Sequence, residues 1–299
     1  MKKVLVLLST YNGEKYLKEQ IESVLGQRDV EISILVRDDG STDKTHTILE
    51  EYKKEGKLEW YTGENLKPAK SFVNLVSNAE IIYDYYAFCD QDDFWYSDKI
   101  SNAIQEMEKD SSILPKLCYC NIELVDKDRQ HLEYRKISGR CDFFEEMLLT
   151  YCVPGCTMVF NKSLLNIVKK RVPTRLTMHD CWLYFVCVAT GGKIYSTEKV
   201  GIQYRQHGGN VVGTTHISIK NKIKMILGKR KSPRQKMIAE ILEQFADELK
   251  DGKELESFRT FSKYPNSFLN KMKILSIKNR VAPRRSFIKA KLMVVFNSL

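Results

Sequence analysis

Short apolar runs along the chain alternate with stretches in which apolar residues return every three or four positions. Val4 to Leu8 is one such run, and Leu17, Ile21, Val24 and Leu25 follow at helical spacing, which predicts a buried strand and then an amphipathic helix. Ile32 to Val36 reads as the next strand, Asp39-Gly40-Ser41-Thr42-Asp43 as a turn and cap, and Ile48 with Tyr52 as one face of a second helix. Leu58 to Tyr61 is a third strand. Phe72, Leu75, Val76 and Ala79 mark a third helix, and Tyr85 to Cys89 a fourth strand. Parallel neighbours need crossover connections, so this alternation predicts a parallel α/β sheet. Farther on, Cys181 to Ala189 reads as a buried helix, with Ile194 to Ser196 and Val200 to Arg205 as two strands closing the domain.

From Lys220 the pattern changes to basic amphipathic helices, with Met237, Ile241, Leu242, Phe245 and Leu249 at helical spacing. This segment holds 20 Lys and Arg against 7 Asp and Glu, a net of +13 that leaves −3 for residues 1–219 out of the overall +10. Two blocks, 220–236 and 263–299, contain no acidic residue, and Ile223, Met225, Ile226 and Leu227 are interleaved with the cations of the first. Such a composition suits an anionic surface, and it divides the chain into a domain of residues 1–219 and a basic helical region of 220–299. The tail's cations alternate with aliphatic residues rather than with aromatics for base stacking, which favours lipid headgroups over nucleic acid.

With 43% hydrophobic and 29% charged residues, 15 Tyr and 13 Phe, the chain is neither disordered nor fibrous. No stretch reaches the roughly 18 apolar residues of a spanning helix; the longest candidate, Cys181 to Gly192, has twelve. Met1-Lys2-Lys3 and Val4 to Leu8 are too short for a signal peptide and read as the start of a cytoplasmic protein. The eight cysteines, including Cys141 and Cys152, form no CxxC pair and lie in apolar sequence, so they are expected as reduced, buried thiols.

Ligands of open α/β sheets bind beyond the carboxyl ends of the strands. Three polar clusters stand there: Ser9-Thr10-Tyr11-Asn12, Asp38-Asp39-Gly40-Ser41 and Asp90-Gln91-Asp92-Asp93. Carboxylates this close repel one another, and a divalent cation explains the last cluster, against the bland alternative of a solvated turn. Oxygen ligands favour Mg²⁺ or Mn²⁺. Asp39, which accepts hydrogen bonds only, can select a base with an imide N–H, or can simply cap its own turn. A dinucleotide-binding domain is excluded by the lack of G-x-G-x-x-G after the first strand. An aspartyl phosphohydrolase would carry its carboxylate pair on the first strand, not the fourth.

These three clusters resemble the amino-terminal half of a family two glycosyltransferase with the GT-A fold, a Rossmann-like mixed sheet flanked by helices. Gly155 to Asn161, Met178-His179-Asp180 and Tyr204-Arg205-Gln206-His207 are similar to the subgroup that includes bacterial rhamnosyltransferases of polysaccharide assembly. The resemblance implies that Thr10, Tyr11 and Asn12 line the base pocket with Asp38 and Asp39, that Asp90 faces the ribose or metal, and that Asp92 binds the metal. It places Asp180 as general base, His207 as metal ligand or electrostatic partner, and Arg205, Asp93 and His179 near the diphosphate. The family often has Glu where His179 stands.

The chemistry agrees. A sugar hydroxyl must attack the anomeric carbon while a nucleoside diphosphate leaves, and a metal and a cation serve its departure. One carboxylate on the opposite side can take the proton, and a single displacement inverts the centre. Asp180 could equally be a helix N-cap, and Arg205 and His207 ordinary loop residues. The expected partners are a dTDP- or UDP-sugar donor, a glycan or polyprenyl-linked glycan acceptor and an anionic membrane, with no nucleic acid. Gly208-Gly209-Asn210 is expected as a loop folding over the nucleotide.

Overall fold

The computed structural model describes residues 1–139, 143–151, 153–207, 233–280, 282, 284–296 and 299. The strand β1 (Lys2–Thr10) is followed by α1 (Leu17–Leu25), β2 (Val30–Asp38), α2 (Thr45–Lys54), β3 (Glu59–Thr62), α3 (Lys67–Asn78) and β4 (Tyr85–Cys89). All three pairings in the order β3-β2-β1-β4 are parallel, as the alternation predicts. Val4, Val6, Leu7 and Leu8 are fully buried because helices cover both faces of the sheet.

The second half turns the sheet mixed. A two-residue strand β5 (Phe94–Trp95) leads into α4 (Lys99–Glu108), β6 (Lys116–Val125), β7 (His131–Arg135), α5 (Phe144–Thr150), β8 (Met158–Asn161), α6 (Lys162–Val168), α7 (His179–Ala189) and β9 (Lys193–Arg205). The sheet continues β4-β8-β6-β9-β5, with β8 antiparallel to both neighbours and β6 parallel to β9. The two closing strands expected at Ile194 and Val200 are one strand, β9. Its register against β6 shifts at Asn121, whose side chain donates to Glu198 O at 2.9 Å. Helix α7 is apolar all round, and ten of its eleven residues are buried, so it forms a central layer rather than a surface helix.

After residue 232 come α8 (Pro233–Gln244), α9 (Lys253–Lys263), α10 (Phe268–Ser276) and α11 (Arg284–Val295). Met237, Ile241 and Phe245 of the predicted amphipathic face are fully buried and join the same core as β1 and α7. Glu240 accepts from Thr174 N and Arg175 N at 2.8 and 2.7 Å, which fixes α8 to the loop before α7. Cys89, Cys118, Cys120, Cys156, Cys181 and Cys187 are free and buried. Cys141, Cys152, the Gly208-Gly209-Asn210 loop and residues 220–232 of the first basic block lie outside the described residues. Among those described, no helix is long and apolar enough to cross a membrane.

Candidate active site

The chain fills β1, β2 and β3 to one side and then crosses to β4 on the other, so the topological switch lies between β1 and β4. Thr10 is level with Asp38, and Leu8 with Cys89, so the three polar clusters project from one sheet edge. Gln91 joins two of them: its Oε1 accepts from Thr10 Oγ1 at 2.6 Å and from Tyr11 N at 2.8 Å. An added Cβ on Gly13 would stand 2.6 Å from Thr10 Oγ1 and 2.7 Å from Gln91 Oε1, which is why glycine is needed there. Asn12, at φ 49°, accepts from Thr42 N at 2.9 Å while its own N–H donates to Ser41 Oγ at 2.8 Å, tying the first cluster to the second. Tyr11 is exposed at the rim.

The two neighbouring aspartates differ. The Asp38 carboxylate is fully buried and accepts from Gly40 N, Ser41 N, Thr62 Oγ1 and Ser41 Oγ, with His46 Nε2 at 2.7 Å. Burial alone would raise its pKa, but bonds from Ser41, His46 and Thr62 hold it low. Its acceptors are engaged within its own loop, so Asp38 shapes the loop that presents Asp39. Asp39 pairs with the buried Arg37 guanidinium, and its N–H donates to Thr10 O at 2.9 Å.

At the end of β4, burial and then the charges of Asp92 and Asp180 push the Asp90 carboxyl up to about 7. Asp93 is also pushed well up, by burial and by Asp92 and Asp90, and its Oδ1 accepts from Arg205 N at 3.1 Å. Asp92 Oδ2 lies 2.7 Å from His207 Nε2, joining residues 115 apart in sequence. Carboxyl, thiol and carboxyl atoms of Asp90, Cys156 and Asp93 lie within 4.8 Å of one another. Burial holds the Cys156 thiol protonated, so the oxygen and imidazole donors suit a hard divalent cation better than the sulfur. Crowded carboxyls with raised pKa values, and an Asp–His pair beside them, fit such an ion.

Arg205 is 2% exposed, and its guanidinium is turned inward. It donates to Asp92 O at 2.8 Å and Lys127 O at 2.7 Å, pairs with Glu19 on α1, and lies over the Tyr16 ring. In this arrangement it clamps the Asp92–Asp93 turn from behind. His179 stands in an apolar slot. Its ring stacks on Phe72 at 4.0 Å and meets Phe88 edge-on, neither nitrogen has a partner among the described residues, and burial lowers its pKa to about 3. A neutral imidazole in an apolar slot cannot neutralise phosphate.

Asp180 is the second residue of α7, not its N-cap, which is Met178. Its Oδ1 accepts from Cys181 N at 2.6 Å and its Oδ2 from Gly155 N at 3.1 Å. Burial raises its pKa to about 6 despite these bonds. Beneath the acidic turn lies Lys99, 1% exposed, whose Nζ donates to Cys156 O at 2.7 Å.

Residues 5–167 of this chain match the family Glycosyl transferase family 2. The chain belongs to that family. It is 32% identical over 262 residues to "dTDP-rhamnosyl transferase RfbG" of Shigella flexneri, covering 81% of this chain and 85% of that protein. It is 27% identical over 212 residues to "UDP-Glc:alpha-D-GlcNAc-diphosphoundecaprenol beta-1,3-glucosyltransferase WfaP" of Escherichia coli, covering 71% and 80%. The crystal structure of S. aureus TarS 1-349 in complex with UDP-GlcNAc superposes with a TM-score of 0.60 at 17% identity, over 96% of this chain and 79% of that one. The mixed sheet is thus the GT-A fold.

For this family 2 glycosyltransferase the sequence pointed to the clusters but not to the bridging role of Gln91 within its cluster, nor to Glu19, Tyr16 or Lys99. Gln91 carried a signal, since it interrupts the acidic run. Lys99 carried none, because a lysine after a turn is ordinarily solvated.

Proposed function

We propose that the chain transfers rhamnose from dTDP-rhamnose, with inversion and with a divalent cation, to a glycan or polyprenyl-linked glycan in cell-surface polysaccharide synthesis. The observation that carries this reading is the meeting of Asp92 with His207 at one sheet edge, beside Asp90, whose carboxyl feels the charge of Asp180. The likeness to RfbG supports the donor. WfaP favours a second reading, a UDP-hexose donor, and supports a lipid-linked acceptor.

Asp39 and Thr10 bind the base, and Tyr11 lies against it from the rim. Asp92, His207 and Asp90 hold Mg²⁺ or Mn²⁺, which when bound supplies positive charge to the departing diphosphate. Gln91 and Arg205 keep the base loop and the acidic turn in register. Asp180, across the sugar site, orients the acceptor hydroxyl and takes its proton as the hydroxyl oxygen attacks the anomeric carbon. The basic carboxyl-terminal helices bring the enzyme to the anionic inner leaflet, where a polyprenyl-linked acceptor resides.

The test is nucleoside diphosphate release from dTDP-rhamnose, UDP-glucose and UDP-GlcNAc with Mg²⁺, Mn²⁺ or chelator, followed by the anomeric configuration of the product. Metal-dependent turnover of dTDP-rhamnose with inversion is expected. Turnover of the UDP-hexoses alone selects the second reading, and retention overturns the mechanism.

A further inference from the structure

The last two helices carry an apolar surface that the fold leaves bare. Helix α10 turns Ile274 inward, while Phe268 and Leu269 are 77% and 73% exposed and Met272 is half exposed on the opposite side. Helix α11 buries Phe287, Ala290 and Val294 and leaves Ile288, Leu292 and Val295, with Phe296 just beyond, in solvent. Lys271 Nζ donates to Val295 O at 3.4 Å and Lys291 Nζ to Leu275 O at 2.6 Å. The helices therefore run antiparallel and side by side, with the start of α10 alongside the end of α11. Single exposed apolar side chains are ordinary, but seven on two adjoining helices and the residue after them form a patch with a use.

Charge identifies what covers it. Residues 263–299 hold nine Lys and Arg and no Asp or Glu. Arg284 and Arg285 are exposed on the helix that carries Leu292 and Val295, whereas Lys273 and Lys278 line a cleft with Glu145 and Glu254. Two copies meeting through this face would oppose these arginines without counter-charge, whereas an anionic bilayer accepts both the cations and the apolar side chains. The geometry points to α10 and α11 as a membrane-inserting foot, in which Phe268, Leu269, Met272, Leu292, Val295 and Phe296 enter the boundary between headgroups and acyl chains of an anionic phospholipid membrane. This rests on the proposed approach to the inner leaflet and names the surface that makes it, with attachment by in-plane insertion rather than by charge alone.

The intact protein is floated with phosphatidylcholine vesicles, with and without phosphatidylglycerol, at rising salt. Leu269→Ser with Phe296→Ser is compared with Arg284→Gln and Arg285→Gln combined. Deleting the block would also remove the buried Tyr264, Ile274, Phe287 and Val294, so these surface changes are cleaner. Melting temperature and affinity for UDP and dTDP check that both variants are folded. The intact protein should float with the anionic vesicles, and the serine variant should lose about tenfold in partition for each side chain withdrawn, even at low salt. The glutamine variant should lose binding chiefly to the anionic vesicles. Equal binding by the serine variant and the intact protein would refute insertion while leaving an electrostatic contact. Failure of the intact protein to float with either vesicle would refute the membrane reading as well. A dimer in sedimentation that the serine substitutions abolish, with no flotation, would assign the face to a second copy instead.

Discussion

Asp180→Asn separates proton transfer from structure at the residue on which the proposed mechanism turns. The carboxylate accepts from two backbone donors, Cys181 N–H on Oδ1 and Gly155 N–H on Oδ2. An amide offers one acceptor oxygen, so the variant sets an NH₂ group against the other donor, a loss of about 1–3 kcal/mol. Burial acts in the opposite direction. With its pKa raised to about 6, the carboxyl costs the folded state about 3 kcal/mol when ionised. That cost is absent below the ordinary carboxylate pKa, grows as pH rises, and is complete above about 6. Asn does not carry it. The two effects offset, and near neutral pH the Asn variant should melt within a few degrees of the wild type.

Transfer should nonetheless fall by roughly 10²–10⁴-fold in kcat, because the amide cannot take the acceptor proton. Nucleotide affinity should scarcely change. At saturating metal, which keeps Asp90 ionised, kcat/KM of the wild type should rise with pH and level off above about 6. The Asn variant should lack that limb. Asp180→Ala, which removes both acceptors, is the structural control: were Asp180 only a fastener for the Gly155 turn, rate would follow stability and the Asn variant would stay active. A stable Asn variant that binds donor and transfers sugar at the wild-type rate would place the base elsewhere.

Asp92→Asn should remove the charge facing His207, so that titration with Mn²⁺ saturates at least about tenfold higher and donor KM rises; unchanged metal dependence would take Asp92 out of the metal site. Asp39→Ala should weaken UDP and dTDP binding by calorimetry, by about 1–3 kcal/mol for a lost charged acceptor, and should also unpair Arg37, so its melting temperature is read alongside. Lys99→Met should leave Cys156 O without its donor and withdraw positive charge from beneath Asp90, lowering stability by about 1–3 kcal/mol. Lys99→Arg, which keeps the charge, should restore metal affinity better than stability, and equal metal affinity in all three proteins would confine Lys99 to packing.

Strands β1 and β4 were legible because parallel strands covered on both faces must be apolar along their length, and Val4 to Leu8 and Tyr85 to Cys89 are, while the edge strand β3, with no buried residue, was legible from its place in the alternation. Strand β6 was not legible, although every residue of Lys116–Val125 is buried. Lys116, Asn121 and Glu123 interrupt its apolar run, and each is satisfied by a partner from another part of the fold: Lys116 Nζ by Met107 O at 3.0 Å, Asn121 Oδ1 by Ile137 N at 2.8 Å, and Glu123 Oε1 by His131 Nδ1 at 2.7 Å. A buried polar group costs little once bonded, so a core strand can carry one. Periodicity detects only the apolar majority.

The same physics limits what charge-bearing residues disclose about a site. Position at the strand ends brought Thr10, Asp39, Asp90, Asp92 and His207 to one edge, and the start of α7 set Asp180 beside Asp90, because strand order and register are set by the apolar core. Residue type did not say which of the charges would stay available. Arg205 has five donors, and its neighbours Glu19, Asp92 O and Lys127 O draw them inward. Asp38 gives its lone pairs to its own loop, and His179 gives its ring to Phe72 and Phe88. A fixed geometry at Asp92 and Asp39 needs such inward partners, since a carboxylate is held in place by neighbours whose own rotamers are locked by packing and hydrogen bonds. Loss of Arg205 should therefore act through the Asp92–His207 distance rather than through phosphate charge.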